Sequence, residues 1–347
     1  MIRQAALEKV SQVILRNLDR LPPGAVTLVN PEADELFGQI AGQERPVRLS
    51  TGSHGTFRRL QALGADVRFE AAPTNGKAEG NAILVLPREK DRLDLLLQAI
   101  IATMNPGGRL WLVGENRAGI KSSPRILNRH FECVKKLDSA RHCGLFEASL
   151  PVSHGNFELG AFAKQWRTEL AGMETELVTL PGVFSHGRLD AGTALLLDAM
   201  QSLKLNGNIL DFASGCGVVG VTALRMAPAS RLTLLDDSAL ALEAGKRSLA
   251  ANQLEAVSLP SNGLAELEGR FDWILSNPPF HRGVRDDLGI AADFFRQSGT
   301  FLTEKGRILV VFNRHLPYEG WLRDQFKNVS RLASNREFTV IEANKPK

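Results

Sequence analysis

A glycine-containing turn between a predicted strand and a predicted helix constrains the fold of this chain more than any other feature. The apolar run at residues 209–212 leads into Gly215 and Gly217, and residues 218–225 then have helical spacing. Glycines at such a turn let the backbone approach a ligand closely while the chain passes from strand to helix. The segment is therefore typical of the first strand–turn–helix unit of a parallel α/β sheet.

The C-terminal half alternates between strand-like and helix-like stretches, as parallel β/α units do. The strands after the glycine turn are predicted at residues 231–236, 271–276 and 306–313. The helices between them are predicted at residues 238–252 and 291–302, and a basic tail with few aromatic residues closes the chain.

The N-terminal half repeats part of this order, with strands at residues 81–87 and 109–114 around a helix at residues 91–103. It contains no Asp-x-x-x-Gly-x-Gly turn. We therefore predict an α/β protein of two tandem, Rossmann-like, doubly wound domains at residues 1–155 and 156–347. The first of these domains is expected to lack cofactor motifs.

Composition excludes several classes of protein. No apolar run reaches the ~18 residues that a membrane span requires, and the first residues lack the apolar segment of a signal peptide. The three cysteines have no paired spacing, so we predict neither a disulfide framework nor a metal site. We expect a cytoplasmic protein without a membrane partner.

Positive charge is concentrated in the first half of the chain. Residues 1–165 contain 22 Lys+Arg and 17 Asp+Glu, whereas residues 166–347 contain 20 and 21. Seven of these cations lie within residues 117–141. Such a cluster is either a solvated helix face or a surface that contacts nucleic-acid phosphates.

Carboxylates at two predicted strand ends indicate what the glycine turn binds. Asp211, four residues before the first glycine, would repel a pyrophosphate and suits a sulfonium or ammonium group. Asp236 ends the next strand, where it can accept both hydroxyls of a ribose, as the acidic residue of dinucleotide-binding folds does. Asn262 follows the strand after that and could bind an adenine amine, although asparagine is also a common turn residue. The cofactor-binding candidates are therefore Asp211, Gly215, Gly217, Asp236 and Asn262, and the expected cofactor is S-adenosylmethionine.

The tetrapeptide at residues 277–280, Asn-Pro-Pro-Phe, ends the apolar run 271–276 and offers groups suited to amine methylation. The Asn277 side-chain oxygen and the Pro278 carbonyl can accept two N–H bonds of an exocyclic amine and direct its lone pair at a sulfonium methyl. Phe280 offers a face on which a base can stack. We predict that Asn277, Pro278 and Phe280 are catalytic and that Asn277 also borders the cofactor. No general base is required, so His281 is interpreted as a bystander.

These motifs resemble those of class I methyltransferases of the Asn-Pro-Pro-aromatic group. With residues 112–117, 138–145 and 180–192 included, most of the chain is similar to the bacterial 16S ribosomal RNA guanine-N2 methyltransferases. That resemblance implies two tandem class I methyltransferase domains, of which only the second binds S-adenosylmethionine and the first aids folding and RNA binding. It also implies that residues 184–192 cover the methionine end of the cofactor. The family usually has glycine where this chain has Ala213.

The predicted activity is methyl transfer to the N2 amine of a guanine in 16S rRNA, with 16S rRNA or the small ribosomal subunit as partner and a monomer as the expected state. Alternative activities within the same chemistry are methylation of a 23S rRNA guanine, an adenine or a protein glutamine. A non-enzymatic rRNA-binding assembly factor is a further alternative, against which the retention of Asp211, Asp236 and Asn277 argues. A nicotinamide-dependent oxidoreductase is disfavoured by Asp211.

Overall fold

The structure is a computed structural model that describes residues 7–74, 80–105, 107–150, 156–185, 187–278 and 285–347, without the side chains of 285–290. The chain divides into two compact units, Met1–Phe162 and Ala163–Lys347, called unit 1 and unit 2 below. The domain boundary predicted at residue 155 stays a prediction, because that residue lies outside the described ranges. No helix in the described part of the chain has both the length and the apolar character that crossing a bilayer requires.

Unit 1 is built around one seven-stranded sheet. Its strands are β1 (Ala25–Val29), β2 (Val47–Thr51), β3 (Val67–Phe69), β4 (Gly80–Val85), β5 (Arg109–Glu115), β6 (Glu132–Ala140) and β7 (Cys143–Ser149). Its α-helices are α1 (Lys9–Leu15), α2 (Leu36–Ala41), α3 (His54–Ala62), α4 (Lys90–Thr103) and α5 (Pro124–His130). The strand order is β3-β2-β1-β4-β5-β7-β6. The first five strands in this order are parallel, and β7 is antiparallel to both of its neighbours.

Unit 2 begins with a two-stranded hairpin, β8 (Lys164–Leu170) and β9 (Met173–Thr179). Its other strands are β10 (Asn208–Phe212), β11 (Arg231–Asp236), β12 (Val257–Pro260), β13 (Phe271–Ser276), β14 (Leu302–Asn313), β15 (Phe326–Ser334) and β16 (Phe338–Pro346). Its α-helices are α6 (Ala191–Met200), α7 (Val218–Met226), α8 (Ala239–Ala251), α9 (Arg285–Gln297) and α10 (Tyr318–Gln325). The sheet order is β12-β11-β10-β13-β14-β16-β15, which repeats the order and strand directions of unit 1.

The strand register shows which residues of the two units occupy the same place. Thr51 is the last residue of β2, and Asp236 is the last residue of β11. The two residues are equivalent because β2 pairs with β1 in the same register as β11 pairs with β10. Val85 of β4 likewise occupies the position that Asn277 holds directly after β13. Unit 1 therefore has the fold of unit 2, with threonine in place of the carboxylate and valine in place of the amide.

Three predictions about unit 2 differ from the structure. The helix expected at residues 291–302 is α9, which ends at Gln297, and a 3-10 turn precedes β14. β14 begins at Leu302 rather than at Gly306 because Leu302 already pairs with Phe271 of β13. The basic tail forms β15 and β16. β15 is an edge strand whose residues are mostly exposed, whereas residues 339–343 of β16 are buried.

The central strands of unit 2 bury apolar side chains on both faces, as parallel strands between two helix layers do. Ile209 and Leu210, which are consecutive, belong to separate apolar clusters on the two faces of the sheet. At the end of β10 the ring of Phe212 stacks on Phe294 of α9, with 4.1 Å between the ring centroids. The Ser276 hydroxyl also donates to the Phe212 carbonyl at 2.8 Å, which ties β13 to β10 where both strands end.

Candidate active site

A cleft lies where β10 and β13 end, at the point where the strand order of unit 2 reverses. Ligands of open parallel sheets bind at this place, beyond the carboxyl ends of the strands. The cleft is lined by the glycine turn after β10, by the start of α6 and by Asn277. The sequence-predicted residues Asp211, Gly215 and Asn277 therefore line one cavity.

Asp211 lies beneath the glycine turn and is almost fully buried, although it lines the cleft. Its Oδ2 accepts a hydrogen bond from the backbone N–H of Gly220 at 2.8 Å. Burial raises the pKa of Asp211 to about 8, against the opposing effect of the Gly220 hydrogen bond. At neutral pH this carboxyl group holds a proton unless a cation enters the cleft.

Asp236 is the last residue of β11, and its side chain accepts hydrogen bonds from both the glycine turn and the start of α8. Its Oδ2 accepts from the backbone N–H of Gly215 at 2.9 Å, and its Oδ1 accepts from the N–H of Ser238 at 2.8 Å. Burial also raises the pKa of Asp236 to about 6, while these two hydrogen bonds lower it. Each oxygen retains a lone pair, so the carboxylate can hold the glycine turn and still accept hydroxyl groups of a ligand.

The glycine turn has the backbone conformation that its residue types require. Gly215 and Gly217 have φ of 55° and 82°, in the left-handed region, and Gly217 directly precedes α7. A Cβ added at Gly215 would meet no heavy atom within 4 Å, so this stretch of backbone borders open space. Ala213 also has a left-handed φ, of 57°, which explains why glycine suits this position.

Asn277 is held by the start of α6. Its Nδ2 donates to Asp190 Oδ2 at 3.0 Å and to Thr193 Oγ1 at 2.8 Å. Asp190 is the N-cap of α6 and accepts from the Thr193 N–H at 3.0 Å with the same oxygen. Because a carboxylate can only accept, the nitrogen side of the amide faces Asp190 and its oxygen is left for another donor.

Pro278 is buried directly after Asn277, and among the described residues no backbone N–H donates to its carbonyl. The acceptor pair predicted from the sequence is thus chemically available at this turn. Phe280 and His281 lie outside the described residues, so their predicted roles stay predictions.

Asn262 lies in an exposed turn after β12 rather than in the wall of the cleft. The turn is held to β11 because the N–H of Ser261 donates to the Asp236 carbonyl at 3.1 Å. The Ser261 hydroxyl then closes the turn by donating to the Gly263 carbonyl at 2.9 Å. The adenine-binding role of Asn262 stays a prediction.

Local sequence patterns did not single out several residues that line the cleft, although the family resemblance implied that residues 184–192 cover the methionine end of the cofactor. Asp190 and Thr193 form an Asp-x-x-Thr helix start, which is a recognisable capping signal but did not indicate a contact with residue 277. Phe184, whose side chain is 48% exposed, and Arg188 border the cleft from the loop before α6. No local sequence signal distinguishes these two residues from an ordinary loop.

The donor set of the cleft fits S-adenosylmethionine. The buried carboxyl group of Asp211 suits its positively charged sulfonium and ammonium groups, and the open backbone at Gly215 allows close approach. The Ser214 hydroxyl is buried in the cleft wall and has no hydrogen-bond partner among the described residues. Such an orphaned polar atom is expected where a polar ligand binds. No group of three or more His, Cys, Asp or Glu in the described residues could hold a metal ion.

Comparison with protein families gives a match for each half of the chain. Residues 174–342 match the methyltransferase small domain, and residues 11–166 match the methyltransferase small domain N-terminal family. Both halves of the chain are therefore similar to parts of known methyltransferases.

Curated relatives extend this similarity to nearly the whole chain. The chain is 36% identical over 343 residues to ribosomal RNA small subunit methyltransferase C of Pseudoalteromonas atlantica, covering 96% of this chain and 98% of the relative. It is 36% identical over 334 residues to the protein of the same name in Stutzerimonas stutzeri, with the same coverage.

A solved structure has the same fold along its full length. It is described as the T. thermophilus 16S rRNA N2 G1207 methyltransferase (RsmC) in complex with AdoMet and guanosine. The TM-score is 0.83 at 24% identity, and the match covers 99% of this chain and 93% of that chain. This likeness confirms the predicted fold of two tandem class I methyltransferase domains.

Proposed function

Because this chain belongs to the ribosomal RNA small subunit methyltransferase C family, we propose that it transfers a methyl group from S-adenosylmethionine to the N2 amine of a guanine in 16S rRNA. The observation that carries this proposal is the orientation of Asn277, whose nitrogen is fully engaged by α6 while its oxygen is left for a substrate donor. The related structure in complex with AdoMet and guanosine supports the choice of both ligands.

The cofactor, when bound, supplies an electrophilic methyl group on a positively charged sulfur. Asp236 accepts the ribose hydroxyls, and Asp211 offsets the positive charge. Gly215 and Gly217 provide backbone that the cofactor can approach closely. Asn262 binds the adenine amine at the edge of the site.

Asn277 and Pro278 act on the acceptor amine. The exocyclic nitrogen of guanine is conjugated with its ring, so its lone pair is poorly available for attack. Two acceptors, Asn277 Oδ1 and the Pro278 carbonyl, take the two N–H bonds and favour a pyramidal nitrogen whose lone pair points away from them. This is positioning and electrostatic stabilisation, with no general base required, because the methylated amine is acidic enough to lose its proton to water. Phe280 stacks on the base.

Unit 1 contributes the RNA contact through its basic segment. Arg125 and Arg129 lie one turn apart on α5, are exposed and form no ion pair among the described residues. Two other cations of the segment are paired, Arg117 with Glu115 at 2.6 Å and Lys135 with Glu147 at 2.9 Å. The protein is expected to act as a monomer, and the reaction is expected to take place in the cytoplasm with the rRNA.

The experiment compares the wild-type protein with Asn277→Ala on naked 16S rRNA and on small subunits from cells that lack the protein. Mass spectrometry of nuclease digests is expected to find N2-methylguanosine at one 16S position with the wild type. Asn277→Ala is expected to lower kcat by about 100-fold to 1,000-fold, as loss of an oriented donor or acceptor does. Its Kd for S-adenosylmethionine, measured by calorimetry, should stay within about tenfold.

Parallel reactions with 23S rRNA and with ribosomal protein separate the alternatives. If 23S rRNA or ribosomal protein were methylated instead of 16S rRNA, the proposed substrate would be wrong. Binding to 16S rRNA without any methyl transfer would indicate an assembly factor. If Asn277→Ala retained the wild-type kcat, Asn277 would have no catalytic role.

A further inference from the structure

We infer that Asp190 and Thr193 are positioning residues that fix the side-chain amide of Asn277 with its oxygen toward the substrate amine. The inference rests on the proposed function, because it assigns the source of the orientation that Asn277 needs. It adds Asp190, the N-cap of α6, and Thr193 to the reaction as residues that act through Asn277.

The geometry permits only one orientation of the amide. Both protons of Asn277 Nδ2 are directed at oxygen atoms, at 3.0 Å from Asp190 and 2.8 Å from Thr193. A flipped amide would place its oxygen against the carboxylate of Asp190, where two acceptors repel each other. Thr193 is buried, and its hydroxyl also lies 3.4 Å from Asp190 Oδ2, so the two acceptors are themselves held together.

Helix capping does not explain the contact with Asn277. Asp190 already caps α6 through the Thr193 N–H. The cap side chains of α3 and α8, Ser53 and Ser238, accept a hydrogen bond from the first turn of their own helices in the same way. Within the described part of the chain, neither serine side chain forms a hydrogen bond to a residue outside its helix start. The bond across 87 residues of sequence is therefore an addition to the cap of α6.

Unit 1 provides an internal comparison. Its helix α1, like α6, precedes the first strand of the sheet and packs on the equivalent strands, β5 and β7. The cap residue of α1 is Glu8, whose side chain makes no capping bond, and Val85 occupies the place of Asn277. In the unit that lacks the acceptor amide, the carboxylate at the helix cap thus makes no capping bond.

Loss of the hydrogen bonds from Asn277 to Asp190 and Thr193 would lower the activity of the enzyme in a defined way. The Asn277 side chain would rotate between two orientations, one of which presents N–H groups to the amine and opposes it. The carboxylate also polarises the amide and makes Oδ1 a better acceptor. Both effects act on the methyl-transfer step and are therefore expected to lower kcat.

The experiment uses the full-length protein with substitutions that separate capping from positioning. Asp190→Ser retains a good N-cap but cannot also reach Asn277, and we expect kcat to fall about 10-fold to 100-fold. Thr193→Val removes only the hydroxyl and is expected to lower kcat about tenfold, whereas Thr193→Ser retains at least about a third of it. The KM for RNA and the Kd for S-adenosylmethionine should change by less than about threefold. Ser53→Ala, which removes a cap in unit 1, is the matched control and should leave kcat unchanged.

A double-mutant cycle tests whether Asp190 acts through Asn277. Asp190→Ser is expected to have no further effect on kcat in an Asn277→Ala background, measured under single-turnover conditions with labelled cofactor. Multiplicative losses would overturn the inference, as would equal rates for Thr193→Val and Thr193→Ser. The Thr193 comparison decides the question even if the Asn277→Ala rate is too low to measure. Failure of the proposed function is distinguishable, because it would show as an inactive wild type or a fully active Asn277→Ala.

Discussion

Gly220, in the first turn of α7, donates its backbone N–H to Oδ2 of Asp211, near the end of β10, at 2.8 Å. This bond holds the carboxylate under the glycine turn, where burial raises its pKa to about 8. The free protein therefore keeps a neutral acid at the place where a positively charged cofactor is proposed to bind. Cofactor binding and ionisation of Asp211 are consequently linked.

The affinity for S-adenosylmethionine should rise with pH. A bound cation favours the ionised carboxylate, so below pH 8 binding must expel the proton from Asp211. Calorimetry between pH 6.5 and 8.5 is expected to show Kd decreasing by about tenfold or more, with proton release on binding. This window lies above the pKa of about 6 of Asp236, and the Asp211→Asn variant separates the contribution of Asp211 from those of other titrating groups.

Asp211→Asn is the control for this prediction. Its Kd should vary by less than about threefold over the same window, because the titrating group is gone. The stability of the cofactor-free protein has the opposite dependence on pH. The folded pKa of about 8 exceeds the ordinary value of 3.8, so Asp211 lowers the stability of the wild type as pH rises from about 4 to about 8, and the variant lacks this contribution. A wild-type Kd that is constant with pH would contradict the linkage.

Asp236→Ala should weaken cofactor binding by about 100-fold or more. The substitution removes acceptors for two ribose hydroxyls and frees Gly215, and hydrogen bonds to a charged group contribute about 1.5–3 kcal/mol each. S-adenosylhomocysteine, which has the ribose but no sulfonium charge, should lose affinity equally. Asp211→Asn should instead affect the charged cofactor more than the neutral product. Equal affinity of Asp236→Ala and wild type for both ligands would disprove the ribose role.

Local sequence patterns were sufficient for the centre of the fold and for part of the site. The glycine turn and the Asn-Pro-Pro-Phe turn each combine a strand end with residues that have strong conformational preferences, and β10, β11 and β13 bring them together. The contact between Asp190 and Asn277 could not be predicted, because it depends on how α6 packs on the sheet. β15 and β16 were missed because a half-exposed edge strand with many polar residues resembles a tail.

Arg125→Ala/Arg129→Ala should weaken rRNA binding without affecting cofactor binding. Each exposed guanidinium that contacts a phosphate contributes about 0.7–0.9 to the slope of log affinity against log salt. Filter binding of 16S rRNA at several salt concentrations is expected to show a slope reduced by up to about 2. The control Lys204→Ala/Lys246→Ala removes two exposed cations of unit 2 and should leave the slope unchanged. An unaltered slope in the arginine variant would exclude this face of α5 from the RNA contact.

Ala213→Gly should stabilise the protein, although most substitutions of alanine by glycine are destabilising. Ala213 has φ of 57°, where a Cβ costs roughly 1–2 kcal/mol, and glycine removes that strain at the cost of about 0.5–1 kcal/mol of unfolded-chain entropy. We expect a net gain of up to about 1 kcal/mol in denaturant unfolding. Ala171, in the turn between β8 and β9, has φ of 50°, so Ala171→Gly should give a similar gain away from the site. The strain is present with and without ligand, so the Kd for S-adenosylmethionine should stay within about threefold in both variants. If Ala213→Gly lost stability and Ala171→Gly did not, the prediction would be contradicted. The packing of the Ala213 methyl group in the cleft wall would then contribute more to stability than the backbone strain costs.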